Sequence, residues 1–125
     1  IVGRPISILT SLKNQYSNAT TTICHSGSSD IFKYTKLADV VILAIGSPEF
    51  LKSEHIKNGA VIIDVGINRI ENDNGKSKLV GDADFNSLIN KVKAITPVPG
   101  GVGPMTIAML VENTVEAAER TLQSI

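Results

Sequence analysis

Two short apolar runs constrain this fold more than any other feature of the chain. Asp39 to Gly46 and Ala60 to Gly66 are nearly uninterrupted hydrophobic stretches. That is the pattern of strands covered on both faces, as in a parallel sheet. Helical signals alternate with them. Ile6, Ile8, Leu9 and Leu12 recur at helical spacing, so Pro5 to about Asn14 reads as a helix. Ala19–Cys24 is short and β-branched, a strand. Ser29 or Asp30 can cap a helix running to about Leu37. Ser47-Pro48-Glu49 offers a hydroxyl cap, a proline and a first-turn carboxylate, which predicts a helix ending at Gly59.

The remainder continues the alternation. Asn72-Asp73-Asn74-Gly75 reads as the turn of a hairpin between Ile67–Ile70 and Lys78–Val80. Phe85–Val92 is helical, Ala94–Val98 a strand, and Met105–Leu122 a long amphipathic helix. Strands alternating with helices predict an α/β, Rossmann-like, doubly wound and mainly parallel sheet in one domain, residues 1–125. Such a sheet begins with a central strand and a glycine-rich turn. Here the first element is already a helix, and the chain opens without methionine. The reading is therefore a partial domain whose first strand lies ahead of Ile1.

Composition excludes several functions. Twelve basic and twelve acidic residues cancel, so no chain-wide field attracts nucleic acid or an anionic membrane. Cys24 is the only cysteine, which rules out an internal disulfide and a cysteine-based zinc site. The run from Val40 to Ile45 is far too short to span a bilayer. The N-terminus lacks the pattern of a signal peptide. A cytoplasmic protein is expected, with an organelle left open.

Two segments carry chemistry. Thr96–Thr106, TPVPGGVGPMT, places three glycines and three prolines between a strand and a long helix. Glycines admit a ligand close to the backbone, Pro104 can begin the helix, and free N–H groups there suit an anion or carbonyl. On the residues alone it reads equally well as a strand-to-helix turn. The second segment, Thr22–Ser28, ends the second strand, where a dinucleotide fold meets the adenosine ribose. It holds His25, Ser26 and Ser28 rather than an acid, with Asp30 drawn into a helix cap. That leaves room for a 2′-phosphate, or it is simply a polar strand end.

Other candidates read more plainly. Cys24 and His25, adjacent on a strand, point to opposite faces and make no dyad, so Cys24 reads as a buried cysteine. His55 reads as a solvated helix residue, and 72–75 as a turn rather than a calcium loop. Asp64 and Asp82 stand at strand ends, where each either matters to a cleft or simply accepts loop N–H bonds, and both stay outside the expected site.

Five segments together resemble one family. Ile1-Val2-Gly3-Arg4-Pro5, Cys24-His25-Ser26, AVIIDVGIN at 60–68, Val80-Gly81-Asp82 and TPVPGGVGPMT at 96–106 are similar to the C-terminal domain of the methylenetetrahydrofolate dehydrogenase/methenyltetrahydrofolate cyclohydrolase family. The resemblance implies NADP-dependent oxidation of 5,10-methylenetetrahydrofolate and hydrolysis of the product to 10-formyltetrahydrofolate, a step in one-carbon metabolism and purine biosynthesis. It assigns cofactor binding to Ile1, Val2, His25, Ser26, Ala44, Gly46, Ile67 and Thr106. Ser26 would meet the 2′-phosphate and Ile67 the nicotinamide side. Pro99, Gly100, Gly101, Val102 and Gly103 would border the folate.

There are departures from the pattern. The family's G-R-S turn is not in the chain, and Gly27-Ser28 stands where a basic residue and threonine are common, so NAD stays open beside NADP. The family's catalytic Y-x-x-x-K pair belongs to a preceding domain, and no pair occurs here: Thr20 follows Tyr16 and Ala38 follows Tyr34 at that spacing. No catalytic residue is expected within these residues, and a homodimer is implied by resemblance. The rival is a non-catalytic nucleotide-binding or assembly module.

Overall fold

The computed structural model describes residues 1–71 and 75–123. A parallel sheet forms from β1 (Val40–Leu43), β2 (Val61–Asp64) and β5 (Ala94–Ile95), in the order β1-β2-β5. Val40 pairs with Val61 and Leu43 with Asp64, while Val61 pairs with Ala94. A separate antiparallel hairpin joins β3 (Asn68–Glu71) to β4 (Ser77–Val80), with Asn68 opposite Val80. Its predicted turn at 72–74 lies outside the described residues. The helices are α1 (Gly3–Ser11), α2 (Ile31–Thr35), α3 (Phe85–Leu88) and α4 (Val102–Gln123).

The core is built on one face of the sheet. Val41, Leu43 and Ile62 are buried there against Leu51, Ile56, Ala60, Ala83 and Leu88. Alternate residues Ile42, Val61 and Ile63 are only half-buried, because α1 and α4 contribute no buried residue. The expectation of strands sealed on both faces therefore holds for one face only. Among the described residues β1 has no strand partner on its outer edge. Below that end of the sheet, the Asp39 carboxyl is held under its usual range by the hydrogen bond and charge of Lys57.

Three local expectations are corrected. The helix predicted from Ser47 to Gly59 does not form. Glu49 N–H donates to Gly81 O at 3.0 Å, Leu51 N–H to Asp82 O at 3.0 Å, and Asp84 N–H to Leu51 O at 2.9 Å. These bonds, with Leu51 fully buried, commit the backbone to a parallel bridge, and only a 3-10 turn at Ser53–His55 remains. Tertiary pairing overrides the local helix signal. Residues 19–24 form no ladder, since no strand among the described residues lies beside them. Asp30 occupies the N-cap position of α2, but its side chain makes no cap bond.

Smaller differences follow from packing. His55 is not solvated. Its ring stacks on Phe32 with centroids 3.6 Å apart, and its Nδ1 accepts from Lys52 N–H. Cys24 is half-buried rather than buried. The long helix starts at Val102, so Pro104 lies inside its first turn, where a missing N–H costs nothing. The predicted strand at 94–98 is only two residues long, because Pro97 has no N–H to extend it.

Candidate functional site

All three parallel strands end on the same side of the sheet. The segments leaving them, 44–47 after β1, 65–68 after β2 and 96–103 after β5, therefore converge at their carboxyl ends, the side where open α/β sheets bind ligands. This brings together the candidates Ala44, Gly46, Ile67 and Pro99 to Gly103.

Two buried carboxylates hold the convergence in place. Asp82, fully buried, accepts from Ile45 N–H at 2.7 Å and Gly46 N–H at 3.0 Å through Oδ2. Its Oδ1 accepts from Ser47 N–H at 2.9 Å and from Asn68 Nδ2 at 2.8 Å. Asp64 accepts from Gly66 N–H at 2.9 Å, Asp82 N–H at 3.1 Å and Ala83 N–H at 2.8 Å. A buried charge without such partners would cost several kcal/mol, and here the partners are loop N–H groups and, for Asp82, the Asn68 amide.

Two glycines make room for these acids. A Cβ on Gly66 would sit 2.3 Å from the Asp82 carboxyl carbon, and one on Gly81 1.9 Å from Asp64 Oδ2. Asp64, Gly66, Gly81 and Asp82 were omitted from the expected site. Their signal was present in the sequence as Asp-x-Gly and Gly-Asp at strand ends.

The loop after β5 is tied to the same network. Thr96 Oγ1 accepts from Asp64 N–H at 2.8 Å. Val98-Pro99 is a cis peptide and Gly100 takes φ +98°, a backbone that other residues rarely adopt. A Cβ on Gly101 would lie 2.4 Å from Pro97 O, so the loop folds closely on itself. Thr106 sits one turn into α4, its hydroxyl donating to Val102 O.

The remaining candidates, Ile1, Val2, His25 and Ser26, lie on other segments. Residues 18–21 are tied to α1, through Asn18 and Ala19 N–H on Thr10 O and Thr21 Oγ1 on Ser7 O. His25 N–H donates to Ser28 Oγ at 3.0 Å, and Gly27 N–H donates to His25 Nδ1 at 3.0 Å. This closes a tight turn that leaves Ser26 exposed. Ile1 is fully exposed, and Val2 begins α1 by accepting from Ile6 N–H. No hydrogen bond joins Ile1, Val2, His25 or Ser26 to the three converging segments.

A recess of about 250 Å³ between the hairpin, α3 and β5 is lined by Lys78, Phe85, Ile95, Thr96 and Val98. It holds none of the candidate residues. No group of three His, Cys, Asp or Glu among the described residues is placed to hold a metal ion.

Comparison with known proteins decides the family. Residues 1–122 match the family described as tetrahydrofolate dehydrogenase/cyclohydrolase, NAD(P)-binding domain. The chain belongs to that family.

Bifunctional protein FolD of Campylobacter hominis is 56% identical over 123 residues, which cover 98% of this chain and 40% of the relative. The Bacillus licheniformis protein of the same name is 54% identical, with the same coverage. Among solved structures, the bifunctional FolD dehydrogenase/cyclohydrolase of Campylobacter jejuni superposes with a TM-score of 0.86 at 46% identity, covering 97% of this chain and 40% of that one. The Trypanosoma brucei enzyme, complexed with NADP cofactor and inhibitor, gives 0.76 at 39% identity, covering 84% and 37%. The Rossmann-like α/β class read from the sequence is thereby confirmed. This tetrahydrofolate dehydrogenase/cyclohydrolase domain spans about 40% of the length of the relatives it matches. No helix among its described residues is long and apolar enough to cross a membrane.

Proposed function

We propose that this chain is the cofactor-holding part of an enzyme that oxidises 5,10-methylenetetrahydrofolate with NADP to the 5,10-methenyl form and hydrolyses that to 10-formyltetrahydrofolate. The observation that carries the reading is the convergence of 44–47, 65–68 and the glycine loop 96–103 at the carboxyl ends of the sheet, in a chain that matches the family over residues 1–122. Bound NADP supplies the hydride acceptor. Ala44, Gly46 and Ile67 orient its nicotinamide end, while Ile1, Val2, His25 and Ser26 serve its adenosine end, and Thr106 touches it from α4. Pro99, Gly100, Gly101, Val102 and Gly103 form one wall of the folate cleft. Their glycines keep side chains out of the space the pteridine needs.

The residues here bind and orient; proton transfer falls to a catalytic domain that precedes this partial domain in the same polypeptide. Two observations support such a neighbour. The relatives are about two and a half times as long, and the first half of α4 is apolar on every side yet exposed, with Ile107 at 67% and Leu110 at 65%. A helix apolar all round is normally covered. The reading includes a cytoplasmic homodimer.

The test is an assay of the polypeptide joining this domain to its catalytic domain, with methylenetetrahydrofolate and NADP. NADP-dependent turnover is expected. Nucleotide binding without turnover would favour the non-catalytic module. A finer test concerns Ser26. Ser26→Asp would set a carboxylate beside the 2′-phosphate and is expected to weaken NADP by about tenfold or more while sparing NAD. Unchanged NADP affinity by calorimetry would remove Ser26 from the site.

A further inference from the structure

The segment after β1 is built as an anion nest. Gly46 takes φ +70°, and this turns three successive N–H groups, of Ile45, Gly46 and Ser47, toward one point. Such nests commonly hold a phosphate. Here the anion is the protein's own Asp82, fully buried, so no cofactor phosphate can occupy the nest.

The same carboxylate has a fourth partner in Asn68 Nδ2, next in sequence to Ile67. Its own N–H is held by Asp64, which also takes Gly66 N–H. Gly66 allows the close approach, with no space for a Cβ beside Asp82. One side chain therefore sets the separation of two segments, 44–47 and 66–68, that leave different strands.

We infer that Asp82 is a positioning residue for hydride transfer: through its four hydrogen bonds it fixes the two segments that flank the nicotinamide. The inference rests on the functional reading above, which places Ala44, Gly46 and Ile67 beside that ring. Hydride transfer tolerates little misplacement, and an error near 1 Å can cost roughly 100-fold. Hydrolysis of the methenyl form uses no nicotinamide and does not depend on this spacing.

The geometry specifies a test. Each Asp82 oxygen accepts two bonds. An amide has one accepting oxygen, so Asp82→Asn keeps two bonds and turns an NH2 group against two donors in either orientation. In the polypeptide carrying both domains, Asp82→Asn is expected to lower dehydrogenase kcat/KM by roughly 100-fold. NADP dissociation constants from calorimetry should rise by about tenfold. Cyclohydrolase turnover of supplied methenyltetrahydrofolate should stay within about threefold of wild type, a level a displaced folate wall would not keep.

Asn68→Ala breaks only the link to β3, and the same selective pattern is expected at roughly fivefold. If Asp82→Asn fails to fold, Asn68→Ala decides alone. Unchanged NADP affinity and dehydrogenase rate, or equal loss of both activities in folded protein, would overturn the inference while leaving an active wild type and the functional reading intact. A wild type that neither binds NADP nor turns over folate would overturn the functional reading and this inference with it.

Discussion

Gly81→Ala is expected to destabilise the protein by about 3 kcal/mol or more, a large fraction of a typical domain's stability. The added Cβ would lie 1.9 Å from Asp64 Oδ2 and 3.0 Å from Val98 Cγ2. Asp64 cannot yield cheaply. Asp64 is 2% exposed, and its two oxygens accept from the N–H groups of Gly66, Asp82 and Ala83. Moving it strands a buried charge and three donors together, and removing a partner from such a network costs several kcal/mol. The check is the urea midpoint of the two-domain polypeptide beside Gly3→Ala as a control. A Cβ at Gly3, in α1, meets nothing within 4 Å. The control should be neutral or gain up to about 1 kcal/mol from alanine's helix preference. Equal midpoints for the two variants would mean that the Asp64 network is not rigid.

Gly101→Val is expected to reduce both folate activities by roughly 100-fold or more. The sequence alone suggests that a side chain at Gly101 would keep the ligand away from the backbone. The structure adds an earlier obstacle, because the Cβ would already be 2.4 Å from Pro97 O and 3.0 Å from Thr96 Cβ. The loop must open before any ligand is considered. Thr96 anchors it to Asp64 at 2.8 Å, so opening disturbs the proposed folate wall at its root. Gly101→Ala should share most of the defect, since the clash begins at Cβ. Normal kcat/KM for both reactions in Gly101→Ala would show that the loop is only a connector.

Much of the fold was legible because the strand signals are strong and local. The run at 39–46 contains β1 and that at 60–66 contains β2, both in parallel pairing, and the two arms flanking 72–75 form the β3–β4 hairpin. The glycine loop also lies where a strand-to-helix loop was expected. Residues 47–52 were misread for a physical reason. Ser47-Pro48-Glu49 is a good helix start in isolation, but Leu51 is claimed by the core and its backbone by residues 82 and 84. Residues 19–24 have strand composition, yet a strand exists only with a partner, and composition cannot supply one. Accepting loop N–H groups was one of two readings open for Asp64 and Asp82, and it is the one their hydrogen bonds follow. What could not be read was that both serve one junction, because their seven partners come from three separate stretches of chain, 45–47, 66–68 and 82–83.

The most direct test of the account is NADP reduction by the two-domain polypeptide in the presence of methylenetetrahydrofolate, run beside the same assay with NAD. The account predicts folate-dependent reduction that favours NADP and is lost from the chain of residues 1–125 alone. No reduction with either nucleotide, in a folded polypeptide that carries the catalytic tyrosine and lysine, would contradict it.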